Sequence, residues 1–243
     1  MTVFLVGAGP GNPDLLTVRA ARLLSLADVV IYDRLTTAAM LDLTRADALC
    51  VDVGKVVGST TMTQDQINEL LVQHGRSAPT VVRLKGGDPY VFGRGGEEAQ
   101  ALGAARVPFE VVPGVSSAIA APGAVGIPVT MRNHAQSFTV VTGHEDMLCA
   151  SRVNWEALAA SRTTLVILMG VGRIRLIAAR LMAGGLAADT AVAVIHWATT
   201  DDQRVLRTTL GEVGTASLHA PSTIVVGSVA SLDLRYPIEI VPQ

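Results

Sequence analysis

The residues best suited to chemistry lie in one stretch, residues 81–100, which reads VVRLKGGDPYVFGRGGEEAQ. It begins as an apolar run typical of a strand, continues through a loop with five glycines, and ends in acids that suit the first turn of a helix. A loop that follows a strand in an open α/β sheet lies where such sheets bind ligands. Because glycine lacks a Cβ atom, the backbone of this loop can approach a ligand closely. The stretch therefore predicts a ligand site.

A second glycine-rich turn, residues 7–11 (GAGPG), follows the predicted first strand. Asp33 ends the next predicted strand, where an acid would bind a ribose, and together these features are typical of dinucleotide-binding folds. However, that motif needs glycine at position 12, where Asn12 stands, and Pro10 has no N–H to donate to a pyrophosphate. An NAD-dependent oxidoreductase therefore stays a distant alternative.

Asp33 and Lys55 each follow a predicted strand, and both are candidates for proton transfer. Asp33 also fits a structural role, as a helix cap or as the ion-pair partner of Arg34. Lysine occurs only at Lys55 and Lys85, beside glycines in predicted loops, in a chain that otherwise uses arginine. This placement indicates a need for a compact, titratable ammonium group. The sequence leaves the catalytic and the structural interpretations open.

Several classes of function are disfavoured. The histidines and the two cysteines, Cys50 and Cys149, lack the spacing of a metal site or a disulfide scaffold, so we expect no metal and free, buried thiols. The net charge of -2 gives no attraction to nucleic acid or anionic membranes. No segment resembles a signal peptide or a membrane span. We therefore expect a cytoplasmic protein with a small-molecule partner, without nucleic acid or membrane partners.

The elements that must position these residues alternate between strand and helix over the first half of the chain, which implies a mostly parallel sheet covered by helices. Asn12 is expected to cap the first helix, a capping box begins at Thr63, and residues 203–210 suit an antiparallel strand. At 49% hydrophobic residues, the chain can bury a large core. We predict two α/β domains, residues 1–113 and 114–243, with mostly parallel sheets and a cleft between them.

Runs of sequence along nearly the whole chain resemble the tetrapyrrole (corrin/porphyrin) methyltransferase family, most closely its members that methylate uroporphyrinogen III. The runs are, in order, VGAGPGNPDLLT (6–17), VVIYDRL (29–35), VGK (53–55), QDQIN (64–68), VVRLKGGDPYVFGRGGEE (81–98), VVPGVSSA (111–118), GIPVTMR (126–132), TLVILMG (164–170), QRVLRTTL (203–210) and IVVGSV (224–229).

The resemblance implies the tetrapyrrole methylase fold (class III methyltransferases), a homodimer, and S-adenosyl-L-methionine as cofactor, with S-adenosyl-L-homocysteine as its product. It implies methylation of uroporphyrinogen III at C2 and C7 to give precorrin-2 by way of precorrin-1, for siroheme, cobalamin or heme d1 synthesis. The chain departs from the family pattern at Val56–Thr60, Val125 and Met131. These departures keep open a later precorrin as the substrate, and a pseudoenzyme that binds the cofactor without catalysis is a third hypothesis.

The resemblance also assigns roles to residues. Residues matched to cofactor contacts, or beside them, are Pro10, Gly86, Gly87, Asp88, Val91, Ser116, Ser117, Met169, Ala198, Thr199 and Thr223. Asp33 and Lys55 match proposed acid–base residues. The substrate carries eight carboxylates, which arginine binds through two parallel hydrogen bonds. The matched candidates for that contact are Arg34, Arg94 and Arg132, with Arg83 as a fourth that also suits a structural role within a strand.

Overall fold

The computed structural model describes residues 1–54, 62–144 and 153–235. The chain divides into two compact units, Met1–Ser116 and Ser117–Gln243. Each unit is built on one five-stranded sheet with helices, so the α/β fold class is confirmed. No helix in the described ranges is both long and apolar enough to cross a membrane.

The first unit follows the predicted alternation of strand and helix. Its elements are β1 (Thr2–Gly7), α1 (Val18–Leu26), β2 (Val29–Tyr32), α2 (Ala38–Leu41), β3 (Leu49–Asp52), α3 (Gln64–Gly75), β4 (Thr80–Lys85), α4 (Gly95–Ala104) and β5 (Phe109–Val112). The strand order is β3-β2-β4-β1-β5, and every neighbouring pair is parallel. Apolar clusters cover both faces of the sheet. The carboxyl ends of all five strands therefore lie along one edge.

The start of α1 corrects one expectation. Asn12 does accept a hydrogen bond from the N–H of Asp14, at 2.9 Å, but it caps a short 3-10 helix, Pro13–Leu15. The helix α1 begins later, and Thr17 caps it by accepting a hydrogen bond from the N–H of Ala20. Two capping residues five positions apart compete in the sequence, and the proline after Asn12 favours the shorter turn.

The second unit consists of α5 (Ser117–Ala124), β6 (Phe138–Thr142), α6 (Trp155–Ala160), β7 (Thr164–Leu168), α7 (Ile174–Ala183), β8 (Ala191–His196), β9 (Arg204–Thr209) and β10 (Ser222–Val226). A core cluster around Trp155 contains residues of α6 and α7, and a second cluster contains Ala121 of α5 together with strand residues.

The expectation of a mostly parallel sheet is wrong for this second unit. Its strand order is β6-β7-β10-β8-β9, and only β6 and β7 pair in parallel. A parallel connection needs a crossover of a dozen or more residues, usually a helix. The segment from β8 to β9 has no helix, and the one from β9 to β10 contains only a short 3-10 turn, Val213–Thr215. The antiparallel pairing predicted for residues 203–210 is confirmed.

Cys50 corrects another expectation, because it is a free thiol that is exposed rather than buried. It lies on β3, the edge strand of the first sheet, most of whose residues are exposed.

The capping box at the start of α3 yields a prediction about stability. Thr63 accepts a hydrogen bond from the N–H of Gln66 at 3.2 Å, and the Gln66 side chain accepts one from the N–H of Thr63 at 2.8 Å. Thr63→Ala leaves the first of these donors without its partner, so we expect the free energy of unfolding in urea to fall by about 1 kcal/mol. Thr63→Ser keeps the hydroxyl group and should retain most of the wild-type free energy of unfolding. Equal stability of all three proteins would contradict the prediction.

Candidate functional site

Three glycine-containing loops meet at the carboxyl edge of the first sheet. The N–H of Gly9 donates to the carbonyl oxygen of Gly87 at 3.1 Å, and the N–H of Gly87 donates to that of Gly9 at 2.7 Å. A Cβ atom on Gly7 would lie 2.5 Å from the Cα of Gly114 and 2.7 Å from the oxygen of Gly87. No side chain fits at such distances. The loops after β1, β4 and β5 can therefore touch only if residues 7 and 114 are glycine.

This packing removes the donors that a dinucleotide would need. The N–H of Ala8 donates to the carbonyl oxygen of Lys85 at 2.7 Å, the N–H of Gly9 donates to Gly87, and Pro10 has no N–H. In addition, β4 lies between β1 and β2, whereas dinucleotide-binding sheets place β1 beside β2. The first glycine turn therefore serves as a partner for the loop after β4.

Asp88 ties two of these loops together. One carboxylate oxygen accepts the N–H of Tyr90 at 2.8 Å, and the other accepts the N–H of Gly114 at 3.0 Å. The Asp88 carboxylate is therefore engaged in holding the loop, so a ligand at residues 86–88 would meet mainly backbone groups.

The end of the loop after β4 has an unusual backbone. Phe92 and Arg94 have φ values of 54° and 58°, a left-handed conformation that costs non-glycine residues about 1–3 kcal/mol and is concentrated at functional sites. A Cβ atom on Gly95 would overlap the carbonyl oxygen of Pro89, so the turn closes tightly before α4. Val91 lies exposed on this loop.

Arg94, predicted to bind substrate, forms an ion pair that the sequence analysis missed. Its Nε and one terminal nitrogen donate to the two carboxylate oxygens of Glu97 at 2.8 and 2.6 Å. Both side chains are about half exposed. The hydrogen bond lowers the pKa of Glu97 and raises that of Arg94. The sequence did contain a signal for this pair, because Arg94 and Glu97 are three residues apart at the start of a predicted helix.

Asp33 stands beside the glycine loop. Its Oδ1 accepts the N–H of Leu35 at 3.1 Å, and its side chain is 29% exposed. A Cβ atom on Gly86 would lie 2.8 Å from the Cβ of Leu35, so the turn that begins at Asp33 packs directly on the loop after β4. Arg34 is exposed on the same turn. The structure therefore brings together Asp33, Arg34 and residues 86–88.

Beneath that edge lies a buried charged cluster of Arg83, Lys85 and Glu98, which we call the buried charge cluster. Arg83 Nε and Lys85 Nζ both donate to Glu98 Oε1, at 3.0 and 2.9 Å, and the three side chains are 4%, 3% and 0% exposed. Burial lowers the pKa of Lys85, the charge of Arg83 adds to this, and Glu98 opposes it. Lys85, expected in a loop, is instead the last residue of β4. The signal for this cluster in the sequence was the placement of Arg83 and Lys85 at alternate positions of an otherwise largely apolar strand.

The predicted cofactor residues of the second unit meet at one edge of its sheet. Met169 follows β7, and Ala198 and Thr199 follow β8. Thr223, near the start of the antiparallel β10, pairs with Leu168 and with Ile195. A buried threonine therefore lies between the carboxyl ends of β7 and β8.

Backbone strain marks this edge as well. Met169, Trp197 and Thr199 have φ values of 54°, 42° and 67°. Met169 is also 52% exposed, so packing of its side chain does not explain the strain. Residues held in this conformation are typical of ligand sites.

The remaining predicted residues are placed as follows. Pro10 is half-buried in the turn after β1, Ser116 ends the first unit, and Ser117 begins α5. Arg132 is exposed in the short turn that joins Met131 and Ala135 of the second unit. Lys55, and the departures at Val56–Thr60, lie outside the described residues.

Comparison with known proteins extends these observations. Residues 2–214 match the family of tetrapyrrole (corrin/porphyrin) methylases. An S-adenosyl-L-methionine-dependent uroporphyrinogen III methyltransferase of Methanosarcina barkeri is 51% identical over 235 residues, which are 95% of this chain and 92% of the relative. Siroheme synthase 2 of Aeromonas salmonicida is 47% identical over 232 residues, which are 95% of this chain but 48% of the relative. The chain thus spans about half the length of that synthase.

A solved structure agrees with the sequence comparison. Uroporphyrin-III C-methyl transferase from Thermus thermophilus, complexed with S-adenyl homocysteine, matches with a TM-score of 0.83 and 40% identity over 95% of this chain and 94% of that one. The resemblance inferred from the sequence runs is confirmed. Because the family match covers residues 2–214, most of the chain, the chain belongs to the tetrapyrrole (corrin/porphyrin) methylases.

Proposed function

We propose that the chain methylates uroporphyrinogen III at C2 and C7, giving precorrin-2 by way of precorrin-1, with S-adenosyl-L-methionine as methyl donor. The observation that carries this proposal is the 51% identity, over nearly both full lengths, to an enzyme named for that activity. The product would serve the synthesis of siroheme, cobalamin or heme d1. The relatives named siroheme synthase extend beyond this chain, and only the methyltransferase activity is proposed for it.

The residues proposed to hold the cofactor suit its chemistry. S-adenosyl-L-methionine supplies a methyl group activated by a positively charged sulfur. The proposed contacts are Pro10, Gly86, Gly87, Asp88, Val91, Ser116, Ser117, Met169, Ala198, Thr199 and Thr223. Among them only Asp88 is ionisable, and its carboxylate is bonded to backbone N–H groups. Backbone oxygens at glycine loops can surround a cationic sulfur without offering a strong nucleophile that would take the methyl group.

The proposed substrate contacts suit an acidic macrocycle. Arg34, Arg94 and Arg132 are exposed on turns or loops, where they can reach carboxylates without being buried first. Arg94 already holds Glu97, so a substrate carboxylate would share or replace that partner. Arg34 stands next to Asp33, which places a cation beside the proposed proton acceptor.

Asp33 is proposed to accept the proton that the macrocycle loses as it gains a methyl group. Its carboxylate is partly exposed and accepts a backbone hydrogen bond through one oxygen, which leaves the other facing Arg83. Lys55 is proposed as a second acid–base residue, from the family resemblance alone. Catalysis otherwise depends on alignment of donor and acceptor, since well-oriented pairs reach effective molarities of about 10^5 to 10^8 M.

A homodimer and a cytoplasmic location complete the proposal. The family resemblance supports the dimer, and the exposed free thiol of Cys50 suits a reducing compartment. Sedimentation of the purified protein measures the first, and fractionation of the source cells measures the second.

The methyl-transfer activity and the role of Asp33 are tested together. Incubation with uroporphyrinogen III and methyl-labelled cofactor should yield a doubly labelled tetrapyrrole. Asp33→Asn keeps an acceptor for the N–H of Leu35 but is a poor proton acceptor, so we expect kcat to fall by about 100-fold or more. The Kd for S-adenosyl-L-homocysteine should change by less than about threefold. No label in the product would refute the function, and equal losses in kcat and affinity would make Asp33 a binding residue.

Ligand-dependent stability separates the two cofactor hypotheses. A ligand at about 100 times its Kd stabilises the protein that binds it by roughly 2.7 kcal/mol. We expect S-adenosyl-L-homocysteine to raise the melting temperature and NAD to leave it unchanged. A shift with NAD alone would restore the oxidoreductase interpretation.

Two neighbouring glycines test whether the loop after β4 holds the cofactor. A Cβ atom on Gly95 would overlap the oxygen of Pro89, whereas one on Gly96 would meet nothing within 4 Å. We expect Gly95→Ala to shift the loop and weaken binding of S-adenosyl-L-homocysteine by about tenfold or more, since a misfit of this kind costs about 1–3 kcal/mol. Gly96→Ala is the matched control and should bind normally in calorimetry. Normal binding by both variants would remove the loop from the cofactor site.

A further inference from the structure

The buried charge cluster is not accounted for by the roles assigned so far. Arg83, Lys85 and Glu98 are almost fully enclosed, and Glu98 Oε2 has no hydrogen-bond partner among the described residues. Buried ion pairs are costly to desolvate, and well-packed apolar residues often replace them without loss of stability. Their presence below a proposed catalytic edge therefore calls for a functional explanation.

Charge balance connects the cluster with Asp33. The cluster holds two cations and one carboxylate, so one positive charge lacks a buried counter-charge. The next carboxylate is that of Asp33, whose Oδ2 lies 3.8 Å from a terminal nitrogen of Arg83. Both cations contact the same oxygen of Glu98, but Arg83 is the one that also lies within ion-pair distance of Asp33. Arg83 is thus the cation whose charge Asp33 balances.

The geometry of Arg83 fixes the direction of that interaction. Its Nε donates to Glu98, and one terminal nitrogen lies 3.1 Å from the oxygen of Leu84 and 3.4 Å from that of Ile31. The other terminal nitrogen faces Asp33. Because the guanidinium group is planar and rigid, contacts on two sides determine where the third points. Ile31 lies on β2 and Asp33 follows the end of that strand, so Arg83 contacts both the strand and the carboxylate after it.

We propose that Arg83, held in place by Glu98 and by the backbone of β2 and β4, is the positioning residue that orients the Asp33 carboxylate for proton transfer. This inference rests on the proposed function, in which Asp33 is the proton acceptor. At 3.8 Å the pair interacts through charge rather than through a hydrogen bond, so the proton-accepting oxygen is not blocked by a donor.

Arginine suits this position better than lysine. A guanidinium group stays protonated in proteins, so it attracts the carboxylate without exchanging protons with it. Lys85, two residues further along β4, differs in this respect, because burial lowers the pKa of its ammonium group. The charged groups around Lys85 are Arg83, Glu98, Asp33 and Glu97.

Lys85 provides a matched control. It is as buried as Arg83 and donates to the same oxygen of Glu98, but its side chain runs under the glycine loop, where a Cβ atom on Gly93 would lie 3.4 Å from its Cε. Arg83→Met and Lys85→Met each leave one cation facing Glu98, so each keeps the remaining buried pair neutral. Only the first removes the cation that forms the 3.8 Å ion pair with Asp33.

The test is a double-mutant cycle on kcat, measured by label transfer to uroporphyrinogen III. We expect Arg83→Met to lower kcat by about 100-fold, the scale of a misplaced catalytic group, while KM and the Kd for S-adenosyl-L-homocysteine change by less than about threefold. In the D33N background Arg83→Met should cause no further loss, because there is no carboxylate left to orient. Lys85→Met should change kcat by the same factor in both backgrounds.

Other outcomes overturn the inference in distinguishable ways. An equal loss from Arg83→Met in both backgrounds makes Arg83 a structural residue, while the proposed function stands. A wild-type protein that transfers no label overturns the proposed function and this inference with it. If Arg83→Met does not fold, the cycle is measured with Arg83→Lys, which keeps the charge but loses the planar fork, and the same non-additivity with D33N is required.

Discussion

Close contact between backbones at Gly7, Gly87 and Gly114 is the constraint on which the first unit depends. A Cβ atom at Gly7 would lie 2.5 Å from the Cα of Gly114, and one at either residue would overlap the oxygen of Gly87. The loops after β1, β4 and β5 therefore meet only because Gly7 and Gly114 have no side chains. The contact fixes the position of the loop after β4 relative to the loops after β1 and β5. That in turn determines where Asp88 bonds to Gly114 and where Gly86 meets the turn that begins at Asp33. Backbone packing thus positions the groups that carry the proposed chemistry.

Electrostatics supplies the second level of organisation. The charges of Arg83, Lys85 and Glu98 lie inside the sheet-to-helix layer of the first unit, while Asp33 lies at its solvent edge. A fixed cation 3.8 Å from a partly exposed carboxylate attracts that carboxylate in one direction without donating a hydrogen bond to it. Burial makes the interaction less sensitive to salt than a surface pair would be. Rigid placement of this kind is what a reaction that depends on alignment requires.

The sequence predicted the first unit well because its signals are local. Strand and helix alternate there at regular spacing, and a parallel sheet follows from that alternation. The second sheet could not be ordered in the same way, since β10 inserts between β7 and β8 through antiparallel pairing that no local pattern encodes. The capping box at Thr63 was readable, whereas Asn12 and Thr17 offered two competing caps.

The candidate site was predictable as a set of positions but not as a set of interactions. The glycine loop and Asp33 were found from their place after strands. The pairing of Arg94 with Glu97, and the sharing of one Glu98 oxygen by Arg83 and Lys85, depend on side-chain directions that only the folded chain shows. The use of the Asp88 carboxylate to bond Gly114, 26 residues away, is a long-range contact of the same kind.

The two classes of proposed contact differ in how the fold holds them, and this difference bears on specificity. The proposed cofactor residues are mostly small or act through the backbone, and glycine contacts or strained φ angles fix several of them. The proposed substrate residues, Arg34, Arg94 and Arg132, are exposed side chains on turns or loops. A substitution at the first class disturbs loop packing. One at Arg34 or Arg132 changes an exposed charge, and one at Arg94 also removes the ion pair with Glu97. A fold built in this way can keep one methyl donor while its acceptor changes, because Arg34 and Arg132 lie outside the glycine contacts of the loops proposed to hold the donor.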